Sequence, residues 1–244
     1  MKLQIASLKT LPEIRPGDDL APLIRDAALR EGKEIGASTI LVLAQKIVSK
    51  AEGAMVDLRT IQPSEFAVCW ARQWQKDPRA VELVLRQSRR IVKMDRGTIV
   101  AETHHGFVAA NAGVDQSNVP GDEFAVVLPT DPDLSARRLR LGLNCGAVII
   151  SDSFGRPWRE GLVGVAIGVS GMDAVVDLRG SCDHEGRPLS ATIVARADEL
   201  AAAASLLMPK AGGVPAVLID GFEWERNEGT ARSLVRRPEL DLFR

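Results

Sequence analysis

Residues 146–158 read GAVIISDSFGRPW. A continuous apolar run, Ala147 to Ile150, breaks directly into Ser151, Asp152 and Ser153 and then into a turn carrying Gly155 and Pro157. Such a run suits a central strand, because a strand covered on both faces has no side left for water. Its polar end falls where α/β proteins gather ligands, at the point where a central strand stops. The stretch TILVLAQKIVSK, residues 39–50, has the same form. Thr39 to Leu43 is β-branched and leucine-rich and predicts a buried strand ending near Ala44, which opens onto Gln45, Lys46, Ser49 and Lys50.

Working outward, helices and strands alternate. GDDLAPLIRDAALREG predicts a helix with acids at its start and a closing Gly32. Residues 64–87 predict two helices rather than one, because Ser64 and then Asp77-Pro78 both read as starts. RIVKMDRGTIVAET predicts a hairpin turning at Asp95-Arg96-Gly97. EFAVVLP predicts a strand, DPDLSARRLRLGL a helix, ARADELAAAASLLM another, and VPAVLI a last strand. GLVGVAIGVSG reads as a strand whose glycines admit another backbone or a ligand at close range. The predicted class is mixed α/β with interleaved elements, not in Rossmann order: one unit over residues 1–220, with possible lobes, then a polar tail over 221–244.

The bounds agree with a globular enzyme-sized chain. It has 244 residues, 45% hydrophobic and 26% charged, enough to bury a substantial core. A net charge of −1 gives no general attraction for a nucleic acid. Cys69, Cys145 and Cys182 lie far apart without CxxC spacing, so neither a disulfide framework nor a zinc site is expected. No stretch resembles a signal peptide or membrane span, and the cytoplasm is the expected compartment.

Three polar loops at predicted strand ends carry the candidate chemistry: Gln45-Lys46 with Ser49-Lys50, residues 111–118, and residues 151–159. Lysines pair with phosphates as point charges, while Asp115 and Asp152 are hard oxygen ligands suited to magnesium or manganese. Taken singly, each has a plain reading as a solvated lysine or a turn-capping Asx. Together they have the complementary chemistry that a phosphoryl-transfer site requires. GxxxxGK[ST], HExxH and GxSxG are absent, and no GxGxxG follows the first strand, which disfavours a P-loop or Rossmann cofactor site. His104 and His105 lie beside the second segment, where a hydrogen-bonded structural role is at least as good a reading as a catalytic one.

The strings AQKIVSKAEG, ETHHGFVAANAGVDQSNV, LPTDPDLSARRLR and SDSFGRPWREGLVGVAIGVSG, long and unusual, closely resemble the GTP-dependent gamma-glutamyl ligases that finish the 5-deazaflavin coenzyme F-420. The resemblance runs from about Leu11 to Ile219. It implies a family-specific fold, an intertwined homodimer, and a reaction in which GTP phosphorylates a terminal carboxylate of the deazaflavin acid and L-glutamate displaces the phosphate. It also implies a divalent cation, magnesium or manganese, and a monovalent one, potassium. Asp115 and Asp152 match the family's metal ligands, with Ser153 standing where Thr is common. Thr10, Leu11, Pro12, Glu13, Gln45, Lys46, Lys50 and Asn118 match positions that contact the guanine nucleotide. Arg156 and Arg159 are assigned more loosely, as catalytic side chains gripping phosphate or substrate carboxylate.

Two departures touch ligand loops. His104 replaces the arginine of the family's ETRHGF, and MPKAGGVP stands where MGKADGVP is common. In the family this segment, here residues 208–215, can donate a metal ligand at the position of Lys210; a protonated lysine cannot ligate a cation, but it can meet a phosphate. Two alternatives remain open at this point: the same ligase chemistry on another carboxylate, and a guanine-nucleotide-binding homologue without catalysis. Residues 161–171 and the alanine-rich helix near 198–208 suit an interface or the core equally well.

Overall fold

The structure is a computed structural model describing residues 2–119 and 121–242. Pro120, half of an expected Pro-Gly turn, lies outside the described residues, as do the last two residues of the expected tail. In chain order, β1 (Gln4–Leu8) is followed by α1 (Leu20–Arg30), β2 (Ile40–Ala44), α2 (Gln45–Ala51) and β3 (Met55–Asp57). Next come α3 (Glu65–Trp74), α4 (Pro78–Arg86), β4 (Ser88–Asp95), β5 (Thr98–Thr103), β6 (Val108–Ala110) and β7 (Phe124–Val126). α5 (Pro132–Leu143), β8 (Ala147–Arg156), β9 (Arg159–Ser170), β10 (Val176–Asp177), β11 (Ile193–Val194), α6 (Arg196–Ser205) and β12 (Ala216–Asp220) complete the order. The class is mixed α/β, as the sequence predicts.

The main sheet has the order β1-β12-β2-β8-β9. β2 and β8 run parallel, and the other three pairs are antiparallel. Ile40 to Leu43 and Ala147 to Ile150 have no exposed surface, because this central pair is covered on both faces. α5 packs on β8 and β9 with α1 against it, and α6 packs on β9, β8, β2 and β12. The glycines of β9 permit this layering. A Cβ at Gly164 would lie 2.7 Å from the Ala201 carbonyl oxygen of α6, and one at Gly168 would lie 2.4 Å from that of Pro132 in α5. Close approach by another backbone was one of the two readings of these glycines, and the backbones belong to the core helices.

β9 is an edge strand, and two of its N–H groups are satisfied by acids from neighbouring helices. Asp198 Oδ1 accepts from the Ala166 N–H and Asp133 Oδ1 from the Val169 N–H, both at 2.8 Å. Both acids sit in the first turn of their helix, where a negative charge also favours the helix dipole. The predicted helix starts hold: Ser64 accepts from Ala67 N–H, Asp77 from Arg79 N–H and Asp131 from Leu134 N–H. A smaller sheet, β4-β5-β6, packs with α3 and α4 around Ala67, Val81, Val84 and Ile99. Among the described residues no helix is long and apolar enough to cross a membrane.

Two expected loops are regular structure instead. Residues 45–51 form α2, in which Ser49 Oγ donates to Gln45 Oε1 at 2.8 Å, one turn away. Residues 151–156 continue β8 and pair with β9, leaving only Pro157 and Trp158 as the turn. The apolar signal stops at Ile150 because the outer half of this hairpin has little left to bury, while backbone pairing with β9 keeps it extended. The described part of the polar tail also packs. Trp224 Nε1 donates to the Gly171 carbonyl at 3.0 Å, Ala231 is fully buried, and Thr230 and Ala231 both donate to Asp133. Its apolar residues are too widely spaced to show a period.

Candidate functional site

The parallel pair β2 and β8 ends on the rung joining Ala44 to Ser151. Just beyond it the chain turns into α2 on one side and reaches Asp152 on the other, at the carboxyl ends of the parallel strands. Asp115 arrives from a third direction. Its backbone exchanges two hydrogen bonds with Val126, N–H to O at 3.0 Å and O from N–H at 2.8 Å, which fixes the carboxylate's origin in an otherwise irregular segment.

These elements enclose a cavity of 390 Å³. The amino-terminal segment contributes Leu11, Pro12 and Glu13 to its wall, and α2 contributes Gln45, Lys46 and Lys50. Asp115 and Asn118 enter from one loop, Asp152 and Ser153 from β8, and Lys210 from the loop before β12. The expected residues are therefore brought together with three exceptions. Thr10 faces α1, where its N–H donates to Glu31 Oε1 at 2.8 Å and its hydroxyl to the Ala27 carbonyl at 3.3 Å. Arg156 and Arg159 stand on the exposed part of the β8–β9 hairpin and do not line the cavity. Arg156 Nη2 there donates to the Glu160 carbonyl at 3.1 Å.

The charges are interlocked. Lys46 Nζ lies 2.8 Å from Asp115 Oδ2 and donates to the Ser117 carbonyl and hydroxyl, each at 2.8 Å. Burial pushes the Asp115 carboxyl up, but the hydrogen bonds from Lys46 and Ser117 outweigh it and hold the group below its ordinary value. Asp152 goes the other way, to about 6. Desolvation is the main cause; the Ser153 N–H at 2.8 Å and the charges of Lys210 and Lys46 oppose it, and the Asp115 charge adds to it. Two acids from distant parts of the chain thus feel each other in one cleft. Lys50 Nζ pairs with Glu13 Oε1 at 2.5 Å, tying the amino-terminal wall to α2.

Among the described residues no group of three or more His, Cys, Asp or Glu side chains is disposed to hold a metal ion. Asp115, Asp152 and the Ser153 hydroxyl form a partial set of hard oxygen donors, which suits a cation completed by phosphate oxygens and water rather than by a protein cage. A larger cavity of 550 Å³ lies along α5, lined by His105, Asp131, Arg137 and Glu228 among others, and holds neither paired acid. Chemistry rather than size therefore places the site. His104 Nε2 meets the Arg86 carbonyl at 3.1 Å and His105 Nε2 that of Pro129 at 2.9 Å, both outside the site.

Sequence reasoning did not find Gly164 and Ser205, which wall the cavity from β9 and the end of α6. It also did not find Glu31, which holds the backbone of residues 9 and 10 just before the cavity wall. Glu31 Oε1 accepts from the N–H groups of Lys9 at 2.5 Å and Thr10 at 2.8 Å, and Lys33 Nζ lies 2.5 Å from Oε2. Burial alone would raise its pKa, but these bonds lower it from 4.5 to about 2. A depressed acid contributes stability that is complete above the unfolded value and lost as pH falls from about 4.5 towards 2. Glu31→Gln is expected to flatten that acid limb, read as melting temperature against pH, and to loosen the wall that carries Leu11 and Glu13.

The chain matches the family described as F420-0:Gamma-glutamyl ligase over residues 9–221. It is 46% identical over 252 aligned positions to the Coenzyme F420:L-glutamate ligase of Methanothermobacter thermautotrophicus, covering 100% of both chains. It is 47% identical to the protein of the same name from Methanopyrus kandleri, over 99% of this chain and 98% of that one. The corresponding values for Methanocaldococcus jannaschii are 41%, 100% and 97%.

Proposed function

The chain belongs to the F420-0:gamma-glutamyl ligase family, and from that premise we propose that it joins L-glutamate to the terminal carboxylate of a deazaflavin acid at the expense of GTP. The observation that supports this best is the meeting of Asp115 and Asp152 in a cavity that also carries Lys46, Lys50 and Lys210. Paired hard acids beside several ammonium groups suit a metal-bound triphosphate and few other ligands.

A carboxylate is inert towards an amine because its leaving group would be oxide. The acceptor carboxylate attacks the γ-phosphorus of GTP, the bond to the bridging oxygen breaks, and GDP leaves with the electron pair. The resulting acyl phosphate is attacked at its carbonyl carbon by the glutamate amine, which loses a proton as inorganic phosphate departs and the amide forms. Lys46, Lys50 and Lys210 hold phosphate oxygens and offset the charge that gathers on them. A magnesium or manganese ion held by Asp115, Asp152 and Ser153 supplies further charge neutralisation when bound. Lys46 already neutralises Asp115, so the site holds together before ligands arrive. Leu11, Pro12, Glu13, Gln45 and Asn118 serve the nucleotide.

The test is incubation of the protein with GTP, magnesium or manganese, L-glutamate and the unglutamylated deazaflavin acid. The expected product is heavier by one glutamyl unit, with GDP and phosphate released. GDP release only with some other acid would move the assignment to a different acceptor, and nucleotide binding without turnover on any acid would remove catalysis.

The homodimer belongs to the same proposal. The hairpin tip, with Trp158 80% and Leu162 63% exposed, carries Arg156 and Arg159 away from the cavity of its own chain. In a dimer those guanidiniums serve the partner's substrates. Mixing an Asp152→Asn protein with an Arg156→Ala/Arg159→Ala protein is then expected to restore part of the activity that each lacks alone; no recovery after subunit exchange would refute action across the dimer.

A further inference from the structure

A second cavity, of 290 Å³, adjoins the hairpin that carries Asp152 and plays no part in the nucleotide chemistry above. Phe107, Val108, Phe154, Val165, Leu234 and Val235 give it apolar walls, while Asp198 and Asp241 add two acids and Arg236 one base. The same segments wall both cavities. β8 places Asp152 in the polar one and Phe154 in the apolar one; residues two apart on a strand share a face and stand about 7 Å apart. On β9, Val165 pairs directly with Asp152 and lines the apolar cavity, while its neighbour Gly164 lines the polar one. The segment that delivers Asp115 to the acids begins at Phe107, whose ring meets that of Phe154 edge-on with centroids 6.5 Å apart.

We infer that this apolar cavity receives the planar fused-ring body of the acceptor acid, leaving its carboxylate end free to reach the paired acids. The inference rests on the ligase reading and deepens it by naming where the acceptor sits. Aromatic and branched aliphatic walls favour a flat apolar ring over glutamate or a triphosphate, both of which carry charge along their whole length. Asp198 supplies one directional contact. Its Oδ1 accepts from the Ala166 N–H at 2.8 Å, and its other oxygen has no protein donor among the described residues, so it can accept from a ring N–H. Nucleotide and acceptor are thus sorted by polarity, one to each side of the Asp152 rung.

The test follows the intrinsic fluorescence of the unglutamylated deazaflavin acid as it binds the full chain, with GTP affinity and product formation measured in parallel. Phe154→Ala removes a wall and Val165→Trp fills the space, so the two perturb the cavity in opposite ways and a folding defect in one leaves the other informative. Each is expected to weaken acceptor binding roughly tenfold or more and to leave GTP affinity within about twofold. Acceptor affinity unchanged in both folded variants, with product still formed, overturns this placement while the ligase reading stands. A loss confined to GTP affinity assigns the cavity to the guanine base and also overturns it. Acceptor binding that is lost in the variants, without product in the unsubstituted protein, keeps the cavity and overturns the ligase reading.

Discussion

Asp152→Asn is expected to lower kcat for GTP-dependent glutamate ligation by roughly a thousandfold, the scale on which enzymes lose a group that stabilises charge at the reacting atoms. The fold is expected to survive. Asp152 sits in β8 one residue past the last rung that joins it to β2, with its charge desolvated, and its pKa of about 6 lies above its ordinary 3.8. The folded protein therefore binds more protons than the unfolded chain between those values, and above them the buried charge costs stability. Removing it is expected to raise the melting temperature of the ligand-free protein at neutral pH, with the difference shrinking as pH falls towards 4. Loss of activity together with gain of stability separates a functional acid from a structural one. A variant that retained kcat, or that lost activity only by unfolding, would contradict the role given to this carboxylate.

Gly168→Ala is expected to be the most damaging single methyl that the main sheet can receive. The added carbon would lie 2.4 Å from the Pro132 carbonyl oxygen and 2.6 Å from its carbon, so α5 must lift from β9 at its first turn. That turn also carries Asp133, which caps the β9 edge at Val169 and holds Thr230 and Ala231 of the tail. Overpacking of this kind costs roughly 3 kcal/mol, which corresponds to a fall in melting temperature of roughly 8 °C for a chain of this size. Gly155→Ala, in the same hairpin, is the control, because a Cβ there has nothing within 4 Å. Equal melting temperatures for the two variants would show that α5 does not bear on β9 as described.

How much of this could be read beforehand varied with the kind of signal. Where burial is one-sided or complete, the pattern was plain: the apolar runs at Ile40–Leu43 and Ala147–Ile150 are the central strands, and Ser64, Asp77-Pro78 and Asp131 mark helix starts. Where regular structure carries polar side chains, it was hidden. α2 was concealed because Lys46 and Lys50 face a cavity instead of a core, although Gln45 and Ser49 at one-turn spacing hydrogen-bond as helical neighbours do. The outer half of the β8–β9 hairpin was concealed because its order comes from backbone pairing, which side-chain patterns report poorly. β1 was concealed too. It is an edge strand held by β12, and its order is a consequence of a pairing more than 200 residues away along the chain.

For the candidate site, the polar residues that line the cavity were legible and their assembly was not. Asp115 and Asp152 stood out as acids in polar segments, but nothing local states that Val126 pins one while β2 aligns the other. Glu31 shows the limit most clearly. It looks like an ordinary acid at the end of a helix, yet it holds the backbone of residues 9 and 10 and thereby one wall of the cavity.

The central claim is that these two carboxylates act jointly on one cation carried with the triphosphate. Manganese titration followed by electron paramagnetic resonance, with a non-hydrolysable GTP analogue present, addresses it directly. Binding to the unsubstituted chain is expected to weaken by roughly tenfold or more in Asp115→Asn and in Asp152→Asn alike, the order of loss seen when the support of a metal site is removed. Manganese held with unchanged affinity by both folded variants would contradict it.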